Sequence, residues 1–222
     1  MLLSGGAYRG KRAAALSGVP LSTVHWWARE RILVPSISAR KLKLWSYADL
    51  IGLRLIYWLR RKKTSEAGVD IPATSMPMVK RALNSLRELN VPLWDADGPA
   101  ILVDEEGRVV LDTPTGRLNV DGQPTQDGFL NLVAPFSTAE GTQGPDLARP
   151  RPELRIAPAR LSGSPHIAGT RIETCAIASL LGEGHSAQWV AELYPVLTPA
   201  QIAQSFELEA QLDNNLRLSA AA

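Results

Sequence analysis

The apolar positions of the chain change period three times. Over "KRAAALSGVPLSTVHWWARE", Lys11 to Glu30, they recur at helical spacing and are interrupted once, at Gly18-Val19-Pro20. That pattern predicts a helix, a glycine-bearing turn and a second helix. Ala14, Leu16, Val19, Val24 and Trp27 are the positions that pack the two helices together, with Gly18 supplying the left-handed turn residue. The same orientation turns Ser22, Thr23, His25, Trp26 and Arg29 outward. In "LWSYADLIGLRLIYWLRRKK", Ser46 and Asp49 are spaced as a capping box, so a long helix starts at about Tyr47. Arg60, Arg61, Lys62 and Lys63 complement its dipole at the other end.

Beyond residue 90 the period drops to two. "AILV" and "RVVLD" flank Asp104-Glu105-Glu106-Gly107 and predict a hairpin, and turns at Thr115-Gly116 and Asp121-Gly122 predict another. "DADG", 95–98, begins like a calcium loop but lacks its third acid and its glycine spacing, so it reads as a hydrated turn. "STAEGTQGPDLARPRP", 137–152, has the Gly/Pro/Thr composition of a linker.

Helical spacing then returns. "CAIASLLGEG" is a short apolar helix stopped at Gly182, and "SAQWVAELYP" is another, capped by Ser186 and closed by Pro195. "LTPAQI" places Thr198 as N-cap, Pro199 at the first helical position and Gln201 at the third, with Leu197 and Ile202 spaced as a hydrophobic staple. The helix it opens runs to about Leu218. Ile202, Phe206 and Ala210 form one stripe; Leu208, Leu212 and Leu216 form a second, offset by about 200°. A small domain cannot cover both, so the second stripe, among Glu207, Glu209 and Asp213, is a candidate partner surface.

The expected fold is therefore mainly α with a small β middle region. A helix-turn-helix head occupies 1–90, a β-hairpin region 91–136, a linker 137–152 and a helical, helix-turn-helix-like unit 153–222. Composition supports a folded globular chain, with 45% apolar and 21% charged residues in 222. The single cysteine, Cys175, cannot form an intramolecular disulfide and suits a reducing cytoplasm. No signal pattern opens the chain, and the apolar run Leu50–Leu59 is short and broken by Arg54, so a cytoplasmic protein without a membrane span is expected.

Charge changes the picture more. The net charge of +2 conceals 13 Lys/Arg against 2 Asp/Glu in residues 1–63, and 11 against 20 in the remainder. A balance of +11 coinciding with a helix-turn-helix points to a polyanion. The candidate DNA-contacting residues are Arg9, Lys11, Ser22, Thr23, His25, Trp26, Arg29, Arg40, Lys41 and Lys43: hydroxyls, ring donors and cations suited to base edges and phosphates.

"GSPHIAGTRIET", 163–174, invites a catalytic reading. A phosphate loop would need glycines leading directly into a helix with a lysine or metal-binding carboxylate nearby, which this stretch lacks. His166 has no evident orienting carboxylate, and Cys175 lies on an apolar helix, where inert thiols go. His25, His166 and His185 are scattered. No catalytic residue, metal or cofactor is expected, and Arg171 is read as tying down backbone carbonyls or a carboxylate.

Two resemblances follow from these motifs. "AALSGV", "STVHWW" and "KLWSYADL" together resemble the winged helix-turn-helix of MerR-type regulators, which implies a recognition helix in the major groove and a basic wing residue, Lys43, on the backbone. Pro20 replaces the usual hydroxyl cap, Arg31 stands where a helix-ending glycine is usual, and His25 takes a position that is commonly arginine. The run Gly163 to Arg171, with Leu180 to Gly184 and Tyr194 to Ile202, resembles a small helical domain of formerly unknown function found in antitoxins. With the head in front, the chain resembles a VapB-family antitoxin. That resemblance implies a homodimer that binds operator DNA, represses its own operon and neutralises a PIN-domain ribonuclease toxin. A MerR-like regulator with no toxin partner is the alternative.

Overall fold

The computed structural model describes residues 5–61, 63–64, 70–71, 73–81, 100–103, 109–113, 116–119, 135–137 and 141–221. It is mainly α with small antiparallel sheets. Strand β1 (Tyr8–Arg9) leads into helix α1 (Gly10–Ser17), and Gly18 to Pro20 turn the chain into α2 (Leu21–Arg29). Gly18 closes α1 at φ 72°, its amide donating to the Ala14 carbonyl at 2.9 Å. This left-handed conformation is one that a residue without Cβ adopts freely. Ala14, Leu16, Val19, Val24 and Trp27 are all buried, as the spacing predicts. Arg31, just after α2, is left-handed at φ 54°.

Strand β2 (Leu44–Trp45) pairs antiparallel with β1, Arg9 opposite Leu44. Helix α3 (Tyr47–Leu59) opens with the expected capping box: Ser46 accepts from the Asp49 amide, and Asp49 accepts from the Ser46 amide. Two short strands, β3 (Lys63–Thr64) and β4 (Asp70–Ile71), follow it. In the middle region β5 (Ala100–Val103), β6 (Val109–Thr113) and β7 (Gly116–Asn119) form the expected antiparallel sheet. The turns at 95–98, 104–107 and 121–122 lie outside the described residues.

Strand β8 (Phe136–Ser137) enters the stretch read as a linker and pairs with β9 (Gln143–Gly144) inside it. Its second half is instead a strap pressed into the core. Leu147 is buried, Tyr47 Oη donates to the Leu147 carbonyl at 2.9 Å, and Arg54 donates to that of Pro145. Asn215 Nδ2 and Gln211 Nε2 both donate to the Gln143 carbonyl, at 2.8 and 2.7 Å. A Gly/Pro-rich segment can be buried this way because distant side chains satisfy its carbonyls.

β10 (Leu154–Arg155) pairs with β11 (His166–Ile167), and three helices follow: α4 (Thr174–Gly182), α5 (Ala187–Leu193) and α6 (Pro199–Ala221). Ser186 caps α5, and Thr198 and Gln201 exchange hydrogen bonds of 3.0 and 3.3 Å at the start of α6. The head and the carboxyl-terminal unit share one hydrophobic core, because α6 packs on α4, α1 and α2. The division at residue 153 is thus not a boundary between separate cores. The two-stripe reading of α6 fails for the same reason. Its buried positions are Ile202, Ser205, Leu208, Glu209, Leu212 and Asn215, while Phe206 and Ala210 face solvent.

Candidate nucleic-acid interface

The outer face of α2 carries Ser22, His25, Trp26 and Arg29 exposed and Thr23 half-buried. This follows from the local pattern, since Val24 and Trp27 hold the opposite face against α1 and leave these positions in water. Arg29 Nε lies 3.2 Å from Glu30 on the surface, a pair that contributes little. His25 sits against the start of α1, where a Cβ added at Gly10 would lie 2.9 Å from its Nε2. Arg9 and Lys11, both exposed, flank that glycine, so the α1 entrance and the outer face of α2 adjoin.

The loop between α2 and α3 supplies the remaining cations. Ser38 and Leu44 exchange amide–carbonyl hydrogen bonds of 3.2 and 2.9 Å, closing the span 39–43 into a short projection. Arg40 and Lys41 on it are exposed and Lys43 is half-buried. Ser36 braces the near side: its amide and hydroxyl donate to Asp49 Oδ2 at 2.9 and 2.8 Å. Through Leu44 opposite Arg9, the loop base is joined to the strand that starts α1. No acidic residue occurs between Arg31 and Ala48.

Behind this surface lies a polar lock that local patterns do not reveal. Arg12, on α1, forms a bidentate pair with Glu209 on α6, at 2.5 and 2.7 Å. Thr174 Oγ1, at the start of α4, donates to the same carboxylate. Asn215 Nδ2 reaches the Ala15 carbonyl at 3.2 Å, and Arg54 Nη2 the Leu16 carbonyl at 2.8 Å. Burial lowers the Arg54 guanidinium to about 9, against the opposing influence of Tyr47 and Asp146, and leaves it a cation at neutral pH. Arg54, alone among apolar neighbours, was the one sequence signal of this lock.

The "GSPHIAGTRIET" stretch is a structural corner. Leu161, Ser162 and Gly163 are all left-handed, at φ 49°, 52° and 82°. Tyr8 Oη donates to the Gly163 carbonyl at 2.8 Å, and a Cβ on Gly163 would lie 2.0 Å from that hydroxyl. His166 is buried with Nδ1 3.0 Å from the Ser164 carbonyl. The Glu173 carboxylate accepts from Ser164 at 2.9 Å and from Cys175 at 3.3 Å. Ser164, Glu173 and Cys175 line an open pocket of about 590 Å³ together with Arg9 and Arg12. Burial, then the Glu173 contact and charge, push the Cys175 thiol up to about 11, which leaves it a poor nucleophile. Arg171, expected to hold a carbonyl or carboxylate, is exposed.

Leu208, Leu212 and Leu216 do not form an open surface. Leu208 and Leu212 are 0% and 1% exposed, and Leu216 is half-buried against the same core. The stripe expected to meet a partner is occupied by the chain's own head. Among the described residues, the exposed large apolar groups of the carboxyl-terminal unit are Trp189, Leu193, Val196 and Phe206. No helix there is long and apolar enough to cross a membrane.

Residues 155–207 match a family model described as a protein of unknown function, DUF433. The chain is also similar to uncharacterized HTH-type transcriptional regulators of Mycobacterium tuberculosis and Mycobacterium bovis. Identity is 24% over 160 residues, covering 66% of this chain and 66% of each relative, just under two thirds of their length. No solved structure matches the chain.

Proposed function

We propose that the protein is a DNA-binding transcriptional regulator. Its α1–turn–α2 element acts as a helix-turn-helix, α2 enters the major groove, and the 38–44 loop serves as the wing. The observation that carries this reading is the cationic surface formed by Arg9, Lys11, Arg29, Arg40, Lys41 and Lys43, with exposed Ser22 and His25 among them. Cations there meet phosphates, and the short polar groups of α2 suit base edges. The regulator names carried by its mycobacterial relatives point the same way. Binding as a homodimer to a palindromic operator belongs to the same reading. No catalytic step and no cofactor enter it.

Selection of duplexes from a random-sequence pool by the full-length protein tests the proposal. The expected result is enrichment of one motif, bound more weakly on Arg29→Ala; a pool that stays random would refute it.

A finer reading is an antitoxin that represses its own operon and neutralises a PIN-domain ribonuclease. It rests on the resemblance of residues 155–206 to the antitoxin-associated domain. With Leu208 and Leu212 in the core, such a partner would meet the exposed Trp189, Leu193 and Val196 instead. Co-purification of an adjacent gene product that degrades RNA when freed would support it; unpartnered purification from the native operon would count against it.

A further inference from the structure

The large apolar side chains exposed among the described residues fall into two sets. Trp189, Leu193, Val196 and Phe206 lie on the carboxyl-terminal unit, and nothing around them says what covers them. Trp26, Val34, Ile37 and Leu42 lie on α2 and the loop after it, where every charged residue from Arg31 to Ala48 is a cation. Apolar groups on such a surface have a defined use against nucleic acid. The cations meet phosphates, while sugars, base edges and thymine methyls accept the hydrocarbon.

Leu42 is the most exposed of this second set, at 53%. It stands within the span closed by the Ser38–Leu44 pair, between Lys41 and Lys43 and next to Arg40. The loop is fixed on both sides, by Ser36 on Asp49 and by Leu44 opposite Arg9. A hydrocarbon tip between two cations on a braced base loses little freedom on docking, so its contacts count fully toward affinity.

We propose that Leu42 enters a groove of the DNA as an apolar contact while Lys41 and Lys43 meet the backbone phosphates beside it, which makes Leu42 a specificity-determining residue. This rests on the DNA-binding reading of the basic face. An anionic membrane would also accept cations and hydrocarbon. The duplex is favoured because the adjoining face of α2 exposes Ser22 and His25, which suit base edges and add nothing to lipid binding.

The test uses full-length protein, a duplex it has selected from a random pool, and an unselected duplex of equal length. Leu42→Ala should weaken binding to the selected duplex about fivefold to tenfold, leave the unselected one nearly unchanged, and keep the salt slope. Lys41→Ala should weaken both alike and reduce the slope by about one. Equal loss on both duplexes, or no loss, with Leu42→Ala overturns the inference while leaving salt-dependent DNA binding intact. Binding to phosphatidylserine vesicles that Leu42→Ala abolishes, without effect on DNA, overturns it in favour of a membrane. Failure of the wild-type protein to bind any duplex overturns this inference and the DNA-binding reading together.

Discussion

At the scale of single residues, the most informative group is Glu209. It is nearly buried, it accepts both nitrogens of Arg12, and it accepts the Thr174 hydroxyl. Removing one partner leaves a charge in a partly dehydrated site, so Arg12→Ala should destabilise the protein by about 2–3 kcal/mol in denaturant titration. Arg12→Met combined with Glu209→Leu should recover most of that loss. A single-variant effect near zero would show that the pair is solvated and not a lock. Cys175 gives a second test. With its thiol near 11 instead of 9.0, the thiolate fraction at pH 8 falls about a hundredfold. Iodoacetamide should therefore label the native protein at least that much more slowly than the denatured chain. The folded state holds this proton where the unfolded state has released it, so the thiol costs stability as pH rises from about 9 to about 11. Equal labelling rates would remove the argument. The inertness of Cys175 was legible from its apolar helix, whereas the Arg12–Glu209 pair was not, because the two lie 197 positions apart and each reads alone as a solvated charge.

At the scale of elements, the caps, the turns and the extent of the long helix were legible, and the buried face of that helix was not. Ser46–Asp49, Ser186, and Thr198–Gln201 act within three residues, and each appears in the structure with the bonds its spacing predicts. Gly18 and the α1–α2 packing positions were equally plain. Helix α6 misled because its buried face includes Ser205, Glu209 and Asn215, which a hydrophobic pattern counts as solvent-facing. Glu209 and Asn215 have distant reasons to be inside, Glu209 pairing with Arg12 and Asn215 spanning Ala15 and Gln143, while Ser205 is satisfied within the helix by donating to the Gln201 carbonyl. Truncation after Phe206 would remove Leu208, Glu209, Leu212 and Asn215 from the core. It should therefore unfold the head along with the carboxyl-terminal unit, read as loss of helical circular dichroism well beyond the deleted residues. A truncated protein that keeps a native-like head would contradict the packing of α6 on α1.

At the scale of the whole molecule, a cationic head is welded to the DUF433-matching unit by α6, the 141–150 strap and the Tyr8–Gly163 contact. The composition of the strap read as a linker because its satisfied carbonyls depend on Tyr47, Arg54, Gln211 and Asn215, none of which is near in sequence. One shared core predicts one cooperative transition. In a Trp94→Phe, Trp189→Phe variant, whose remaining tryptophans all lie in the head, unfolding followed by fluorescence should coincide with unfolding followed by helical circular dichroism; two separated transitions would mean independent units. The charge asymmetry, in contrast, was fully legible, and it carries the functional claim. The most direct test is the salt dependence of DNA binding by the full-length protein. The account predicts affinity that falls steeply and linearly in a log–log plot, with a slope reduced by about one on Arg29→Ala and again on Lys41→Ala. DNA binding that is absent, or that is indifferent to salt and to both substitutions, would contradict it.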